Sequence, residues 1–368
     1  MAGDRRSFAS EIDGFTATAM HAFVEAAPDP TILISADGSC LAMNAAAAEM
    51  LPGLRVGAAL VLGLRAPDVL DGLRRVSNGG AAEKAFLSER VPIERLHEVH
   101  IAPLAMGKGE QRNVMLTLKD LTEAKKLERM RTDFIANASH ELRTPLASML
   151  GFIDTLQGPA RDDKAAREKF LRIMGEQGRR MARLIDDLLS LSRIEQNQYV
   201  RPRSPVDFTL IAAHVCETLA PLANDIGVVL RFHASQPVFV LGERDELVRV
   251  AENLIDNAIK YGTRPGDPSA NSVDVSVADK AGNAVLTVTD RGNGIPSEHL
   301  PRLTERFYRV DVGQSRGKNG TGLGLAIVKH ILLRHRGRLT VSSAPMAGTT
   351  FVAEVPIADA KQSVPPSQ

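Results

Sequence analysis

A histidine, an acid and a hydroxyl group stand close together in the segment Phe134–Leu146. His140 is followed directly by Glu141, and Thr144 comes about one helical turn later. A neutral imidazole nitrogen is a nucleophile toward a phosphoryl group when its proton can leave. Glu141 could orient the ring or accept that proton, and Thr144 could position a water molecule for the reverse hydrolysis. These residue types at this spacing indicate phosphoryl transfer at a histidine.

Four polar side chains share one face of a second segment, Asn253–Tyr261, which lies at the end of a predicted helix over Asp245–Lys260. They fall at i, i+4, i+7 and i+8, whereas apolar residues between them fall on the opposite face. The four are Asn253, Asn257, Lys260 and Tyr261. An amide oxygen is a good ligand for Mg²⁺, which usually bridges substrate phosphates, and a lysine ammonium offers a point charge to phosphate. This face therefore predicts contact with a phosphate-bearing ligand.

Two glycine-rich segments follow. Asp290–Ile295 comes at the end of a predicted strand, where glycines let the backbone approach a planar ligand closely. Asp290 could accept a hydrogen bond from an exocyclic amine, which would select adenine over guanine. Gly320–Leu325 opens another predicted helix, and backbone N–H groups at a helix start bind phosphate. The candidate binding residues of the two segments are Asp290, Gly292, Gly294, Ile295, Gly320, Thr321, Gly322, Leu323, Gly324 and Leu325.

His140 lies on a long predicted helix that is marked by an apolar seam. The seam begins at Leu127 and continues at spacings of three and four residues to Leu156, before Gly158 and Pro159 end the helix. His140 follows the seam position Ala138 by two residues, about 200° around the helix. The imidazole is therefore predicted to point to solvent, and Glu141 is predicted to point outward as well. Pro145 removes one helical hydrogen bond and loosens the backbone beside the site.

A second apolar seam runs from Phe170 to Leu191 with nearly heptad spacing. Two such helices joined by a short loop form an antiparallel hairpin. One hairpin leaves an apolar stripe exposed, so the pairing of two hairpins into a four-helix bundle is the natural solution. The segment 120–200 is thus predicted to be a dimerisation and phosphotransfer domain, and the protein a homodimer.

The rest of the chain divides into two further domains. Residues 205–358 alternate between helix and strand patterns, which predicts an α/β sandwich with helices layered on one mixed sheet. Residues 17–119 read as an α+β domain, with a hairpin formed by Thr31–Ser35 and Ser39–Asn44 and later strands near 99–104 and 113–118. Residues 1–16 and 359–368 are predicted to be flexible ends.

Composition narrows the class of protein. The formal net charge of +1 argues against a nucleic-acid binder. The two cysteines, Cys40 and Cys216, form neither a disulfide framework nor a metal-ligand spacing, which favours a reducing compartment. No apolar run reaches the roughly 20 residues that span a bilayer, and no signal peptide is evident. We expect a cytoplasmic protein, or the cytoplasmic part of an inner-membrane sensor if the sequence is a fragment.

The segment His140–Leu146 resembles very closely the phosphoacceptor box of the sensor histidine kinases of two-component systems. The four nucleotide-type motifs, in this order, resemble the ATP-binding domain that histidine kinases share with Hsp90-type chaperones, gyrase-type topoisomerases and mismatch-repair ATPases. The motif not yet described is Arg306–Arg309, the third of the four in chain order, whose aromatic and cationic groups could pack on a mobile lid. The resemblance implies that His140 is phosphorylated, that Glu141 assists, and that Thr144 supports dephosphorylation of the partner.

The same resemblance implies the ligands of the C-terminal domain, ATP and Mg²⁺. Asn257 would hold the Mg²⁺ ion and Asp290 would read adenine. The segment 310–319 would be the ATP lid, with Arg316 and Lys318 as phosphate contacts.

The N-terminal domain resembles a PAS sensor domain, most specifically in Asp37–Gly38 followed by Asn44–Ala46. The alternative is a generic α+β domain that only mediates dimerisation. The order of a PAS-like domain and then a kinase, with no receiver domain after it, looks most like sensors of the phosphate-regulon type.

These expectations together predict a sensor histidine kinase. It would phosphorylate itself on His140 from ATP and pass the group to an aspartate of a cognate response regulator. One alternative is a protein that works mainly as a phosphatase of that regulator, and another is a non-catalytic binding scaffold. Residue types alone do not identify the signal or the regulator, or tell whether each subunit phosphorylates itself or its mate.

Overall fold

A computed structural model describes residues 18–89, 95–104, 112–264, 271–310 and 320–358. Contacts between residues divide the chain into two units, 1–135 and 136–368. The long helix that carries His140 begins in the first unit and continues in the second.

The first unit contains a five-stranded antiparallel sheet in the order β2-β1-β5-β4-β3. Its elements are a helix over residues 18–25 (α1), β1 (Thr31–Ile34), β2 (Cys40–Met43), α2 (Ala45–Met50), a 3-10 turn (Leu60–Leu62), α3 (Pro67–Ser77), β3 (Glu83–Glu89), β4 (Arg95–Leu104) and β5 (Asn113–Asp120). The predicted hairpin and the two later strands are confirmed. The strand β3 and the helix α3 were not predicted.

The core of this unit lies between the sheet and α3. Val99 and Ile101 of β4 are fully buried, as are Val69 and Val76 of α3. Alternate residues of β4 and β5 point to opposite faces, so one face of each strand supplies the apolar side chains.

Asn44 ties the hairpin to the helix that follows it. Its Oδ1 accepts hydrogen bonds from the backbone N–H groups of Thr31, at 3.0 Å, and Ala47, at 2.9 Å. Its Nδ2 donates to the carbonyl oxygens of Ala27 and Asp29. The buried amide is therefore fully satisfied, and it caps α2 in the manner that asparagine favours.

The helix α4 (Thr122–Gln157) starts directly after β5. Asp120 Oδ1 accepts from the Thr122 N–H at 2.7 Å, at the first residue of the helix. Hydrogen bonds from Thr122 lower the pKa of the Asp120 carboxyl. Leu121 N–H donates to the Leu96 carbonyl at 2.8 Å, and Thr122 Oγ1 accepts from the Leu96 N–H at 3.0 Å. The first turn of α4 is thus bonded to β4.

The predicted helical hairpin is confirmed. The second helix, α5 (Lys164–Gln196), is capped by Asp163, whose side chain accepts from the Ala166 N–H at 2.9 Å. Phe152 and Phe170 stack across the hairpin with ring centroids 5.0 Å apart. Several large apolar side chains of the hairpin remain exposed in the second unit: Leu146, Leu150, Leu171, Ile185 and Leu189.

The C-terminal part of the second unit is the predicted α/β sandwich, with a mixed sheet in the order β11-β12-β10-β9-β7. Its elements are β6 (Pro205–Asp207), α6 (Phe208–Asp225), β7 (Val229–Ala234), β8 (Phe239–Leu241), α7 (Arg244–Tyr261), β9 (Ser272–Lys280), β10 (Asn283–Asp290), a 3-10 helix (Ser297–Arg302), α8 (Gly324–Arg334), β11 (Arg338–Ser343) and β12 (Thr349–Pro356). The helices α6, α7 and α8 pack against this sheet.

His335, just after α8, fixes the start of α7. Its Nδ1 donates to the Ile331 carbonyl at 2.8 Å, and its Nε2 accepts from the Glu243 N–H at 3.1 Å. Burial lowers the pKa of His335, so the neutral ring that this pattern requires is favoured. The end of α8 is therefore bonded to the start of α7, and these two helices frame the candidate site.

Candidate functional site

A cavity of about 560 Å³ lies between α7, the end of β10, the start of α8 and α5. Most of the binding residues predicted from the sequence line it. They are Asn253, Asn257, Lys260, Tyr261, Asp290, Gly294, Ile295, Gly320, Thr321, Gly322, Gly324 and Leu325. Motif residues as far apart in sequence as Asn253 and Leu325 therefore converge on one cavity.

Four predicted binding residues are not among the lining residues. Gly292 packs against the end of α7, where an added Cβ would come within 2.4 Å of the Tyr261 carbonyl oxygen. Leu323 is fully buried in the apolar core. Neither residue lines the cavity, and their contact with a ligand stays a prediction. Arg316 and Lys318 lie outside the described residues, with nearly all of the predicted lid.

Asp290 is a fixed acceptor at the end of β10. The residue is 5% exposed, and its Oδ1 accepts from the backbone N–H groups of Gly292, at 2.9 Å, and Thr349, at 3.2 Å. Burial raises the pKa of Asp290, although these hydrogen bonds act in the opposite direction. No described residue donates to Oδ2. The carboxyl group thus has one oxygen anchored and one that a ligand amine can use.

The α7 residues keep the helix face that their spacing predicts. Asn253 Nδ2 donates to the Arg249 carbonyl at 2.8 Å. Its Oδ1 lies so near α8 that a Cβ on Gly324 would come within 2.3 Å of it. Lys260 forms an ion pair with Asp256, four residues earlier, and both line the cavity. The ammonium group is therefore already paired with an acid beside the cavity.

The glycine-rich segment is held by the backbone of the Arg306–Arg309 motif. Phe307 N–H donates to the Gly322 carbonyl at 2.9 Å, and a Cβ on Gly322 would come within 2.8 Å of the Phe307 Cα. Gly322 has a φ of +74°, which only glycine adopts without strain. This contact sets the position of the backbone N–H groups that precede α8.

His140 is exposed on α4, as its position relative to the seam predicts. Thr144 is also exposed, and its Oγ1 donates to the His140 carbonyl at 3.2 Å. Glu141 is partly exposed, with a side chain that is 38% accessible to solvent. Its carboxylate faces α5 and pairs with Arg180 Nη2 at 3.0 Å. The helix continues through Pro145, which is buried.

Charged residues that were not predicted from the sequence also line the cavity. Arg183 and Asp187 come from α5, and Arg249, Glu252 and Asp256 come from α7. The apolar seam of α5 predicts only a bundle helix. The position of Asp187 beside that seam does not indicate its partner, which is Thr321, 134 residues later in the chain.

No helix in the parts of the chain that the structure describes combines the length and the apolar character needed to cross a membrane.

Two family models match this chain, one over most of the helical hairpin and one over most of the sandwich. The His Kinase A (phospho-acceptor) domain matches residues 130–197, which include His140. A model described as histidine kinase-, DNA gyrase B- and HSP90-like ATPase matches residues 242–359, which include Asn257 and Asp290. Neither match reaches residues 17–119, so the PAS-like character of that domain stays a prediction.

Curated relatives agree with these matches. The chain is 39% identical over 260 residues to the phosphate regulon sensor protein PhoR of Pseudomonas aeruginosa. The aligned residues cover 70% of this chain and 57% of that relative. The chain is 34% identical over 247 residues to the sensor-like histidine kinase SenX3 of Mycolicibacterium smegmatis, covering 67% and 63%. The chain thus spans about 60% of the length of these two relatives. A solved structure, the histidine kinase AdeS of Acinetobacter baumannii, is 24% identical with a TM-score of 0.47, covering 60% of this chain and 98% of that one.

Proposed function

Because the chain belongs to the sensor histidine kinases of two-component systems, we propose that it transfers the γ-phosphoryl group of ATP to His140 and then to an aspartate of a response regulator. The observation that carries this proposal is the single cavity in which Asp290, Asn257 and the Gly320–Leu325 segment converge, within a chain that exposes a histidine beside an acid.

The cavity offers each part of ATP a suitable partner. The free Oδ2 of Asp290 accepts a hydrogen bond from the adenine amine, and the backbone N–H groups before α8 donate to the phosphates. Asn257 lines the cavity and carries an amide oxygen, the hard donor that suits Mg²⁺. When bound, Mg²⁺ would neutralise charge on the phosphates. The site residues themselves supply position and orientation, which account for most of the catalysis in phosphoryl transfer.

The chemical step forms one bond and breaks another. A ring nitrogen of His140 attacks the γ-phosphorus as the bond between that phosphorus and the oxygen bridging to the β-phosphate breaks, and ADP leaves. The ring loses a proton, and the carboxylate of Glu141, the next residue in the chain, accepts it. Arg180 holds that carboxylate at α5. In the second step the nitrogen–phosphorus bond breaks as an aspartate oxygen of the regulator bonds to phosphorus.

The remaining parts of the proposal concern assembly and sensing. The exposed apolar residues of the hairpin support a homodimer through a four-helix bundle. The sheet order β2-β1-β5-β4-β3 with α3 packed against it supports a PAS-type sensor domain over residues 17–119. ATP and a receiver-domain partner would make the cytoplasm the place where this part of the protein works.

Labelling with γ-³²P ATP and Mg²⁺ tests the proposed function. We expect the wild-type chain to take up label that survives alkali and is lost in acid, as phosphohistidine is. In Asn257→Asp, labelling falls about 100-fold because a negative charge replaces the neutral amide beside the phosphates. Asn224→Asp, an exposed change near the end of α6, is the control and labels normally. An unlabelled wild type would contradict the proposal.

A phosphatase activity toward the same regulator is the second candidate, because the Thr144 hydroxyl is exposed one turn from His140. In Thr144→Ala we expect dephosphorylation of the regulator to slow about tenfold while self-labelling changes less than about twofold. Thr132→Ala is a matched control, because its exposed hydroxyl makes the same hydrogen bond to a carbonyl four residues earlier on α4. If Thr144→Ala dephosphorylates the regulator at the wild-type rate, Thr144 has no such role.

A further inference from the structure

Asp187 brings a carboxylate from α5 to the glycine-rich segment. Its Oδ2 accepts a hydrogen bond from Thr321 Oγ1 at 2.9 Å, and both residues line the cavity. Thr321 belongs to the segment that receives the phosphates in the proposed function. An anionic group of the protein therefore lies where an anionic group of the ligand is expected.

Two arginines, Arg183 and Arg249, line the same cavity as Asp187, together with other acids. The Arg249 Nη1 is buried and has no hydrogen-bond partner in the described part of the chain, so it can donate to a further anion. Burial raises the pKa of Asp187, whereas the hydrogen bond from Thr321 and the charges of Arg249 and Arg183 act against that rise. The Asp187 carboxylate thus accepts from Thr321 in a cavity that also offers guanidinium donors to an anion.

Further contacts along α5 hold Asp187 in this position. Glu195, two turns later, pairs with Arg306, and its Oε1 lies 3.5 Å from His330 Nε2. Leu191 and Ile194 are buried on the same helix, which packs against α8. We call the contacts of Asp187, Leu191, Ile194 and Glu195 with the ATPase domain the docking surface.

We propose that α5 is an intramolecular competitor of the triphosphate: Asp187 occupies the phosphate end of the cavity, and ATP binds only when the docking surface separates. This inference rests on the proposed function. Two anions at contact distance repel strongly in a partly desolvated site, so the carboxylate and the phosphates exclude each other there. Release of α5 would also free the ATPase domain to carry its nucleotide to His140.

Titration calorimetry of the full-length chain with Mg²⁺ and AMPPNP, a non-hydrolysable ATP analogue, tests the competition. If about nine molecules in ten are docked, the apparent dissociation constant is raised about tenfold. We therefore expect Asp187→Ala to bind AMPPNP about tenfold more tightly than wild type. Adenosine, which has no phosphate, binds both with affinities within about twofold. Asp186→Ala removes an exposed acid from the same helix and binds AMPPNP as wild type does.

Glu195→Gln provides a second variant, because Glu195 belongs to the docking surface and is not a lining residue of the cavity. It should tighten AMPPNP binding about threefold by weakening the docked state. Unchanged or weaker binding in Asp187→Ala and Glu195→Gln, with a wild type that binds AMPPNP, would overturn this inference and leave the proposed function standing. A wild type that binds no AMPPNP would overturn the proposed function and this inference with it.

Discussion

His140→Gln takes up no label above background from γ-³²P ATP, because the amide side chain has no nucleophilic nitrogen to accept the phosphoryl group. The side chain is exposed on α4, so the change removes the acceptor without leaving a cavity. AMPPNP affinity stays at the wild-type value, since His140 is not among the lining residues of the cavity. Calorimetry and labelling on the same preparation separate loss of the acceptor from loss of the nucleotide.

The control for this prediction is His214→Gln. His214 is also an exposed histidine on a helix, but it lies on α6 and outside the phosphoacceptor box. It should label like wild type. Label that persists in His140→Gln, with the same acid lability, would mean that another residue is the acceptor and would end the central proposal.

The second large effect is expected in Asp290→Asn, which weakens ADP binding about 100-fold. The asparagine Oδ1 can keep the hydrogen bonds from the Gly292 and Thr349 N–H groups, so the end of β10 holds its shape. The Nδ2 then replaces Oδ2 and presents a donor to the adenine amine, which is also a donor. Loss of a charge-assisted hydrogen bond and an unpaired buried donor together cost about 3 kcal/mol, which corresponds to this factor. Calorimetry with ADP measures it.

Nucleotide preference distinguishes a lost adenine contact from a damaged domain. The ratio of ATP to GTP affinity should fall in Asp290→Asn, because guanine presents an oxygen where adenine presents its amine. Asp225→Asn, an exposed change on α6, keeps both affinities and serves as control. An unchanged ratio in Asp290→Asn would show that Asp290 does not read the base.

The geometry also explains how a surface histidine and a remote cavity can act together. Asp290 and Asn257 are anchored by β10 and α7, whose buried apolar faces form one core. His140 lies on the hairpin, and the docking surface joins the hairpin helix α5 to the ATPase domain. In the proposed mechanism Thr321 would part from Asp187 before the phosphates reach His140. Competition at the cavity would tie that change to nucleotide binding.

The sequence by itself predicted the helical hairpin, the sandwich and many of the residues that line the cavity. Apolar seams at helical spacing predict α4 and α5 because one face of each helix must be buried, and the observed hairpin follows them. The polar face of α7 and the glycines before α8 identify the cavity walls, because few other residue types permit such close backbone approach. The exposed position of His140 follows from the same periodicity.

Only the tertiary structure decided the long-range partners. Glu141 turns toward Arg180, 39 residues away, and Thr321 donates to Asp187, 134 residues away. Periodicity tells which way a side chain leaves its own helix, but not which charged group of another element meets it there. Ion pairs depend on how whole elements pack, and that packing is set by the apolar cores rather than by the charges themselves. The segment around His140 could therefore be identified in the sequence, whereas the contact between Asp187 and Thr321 could not.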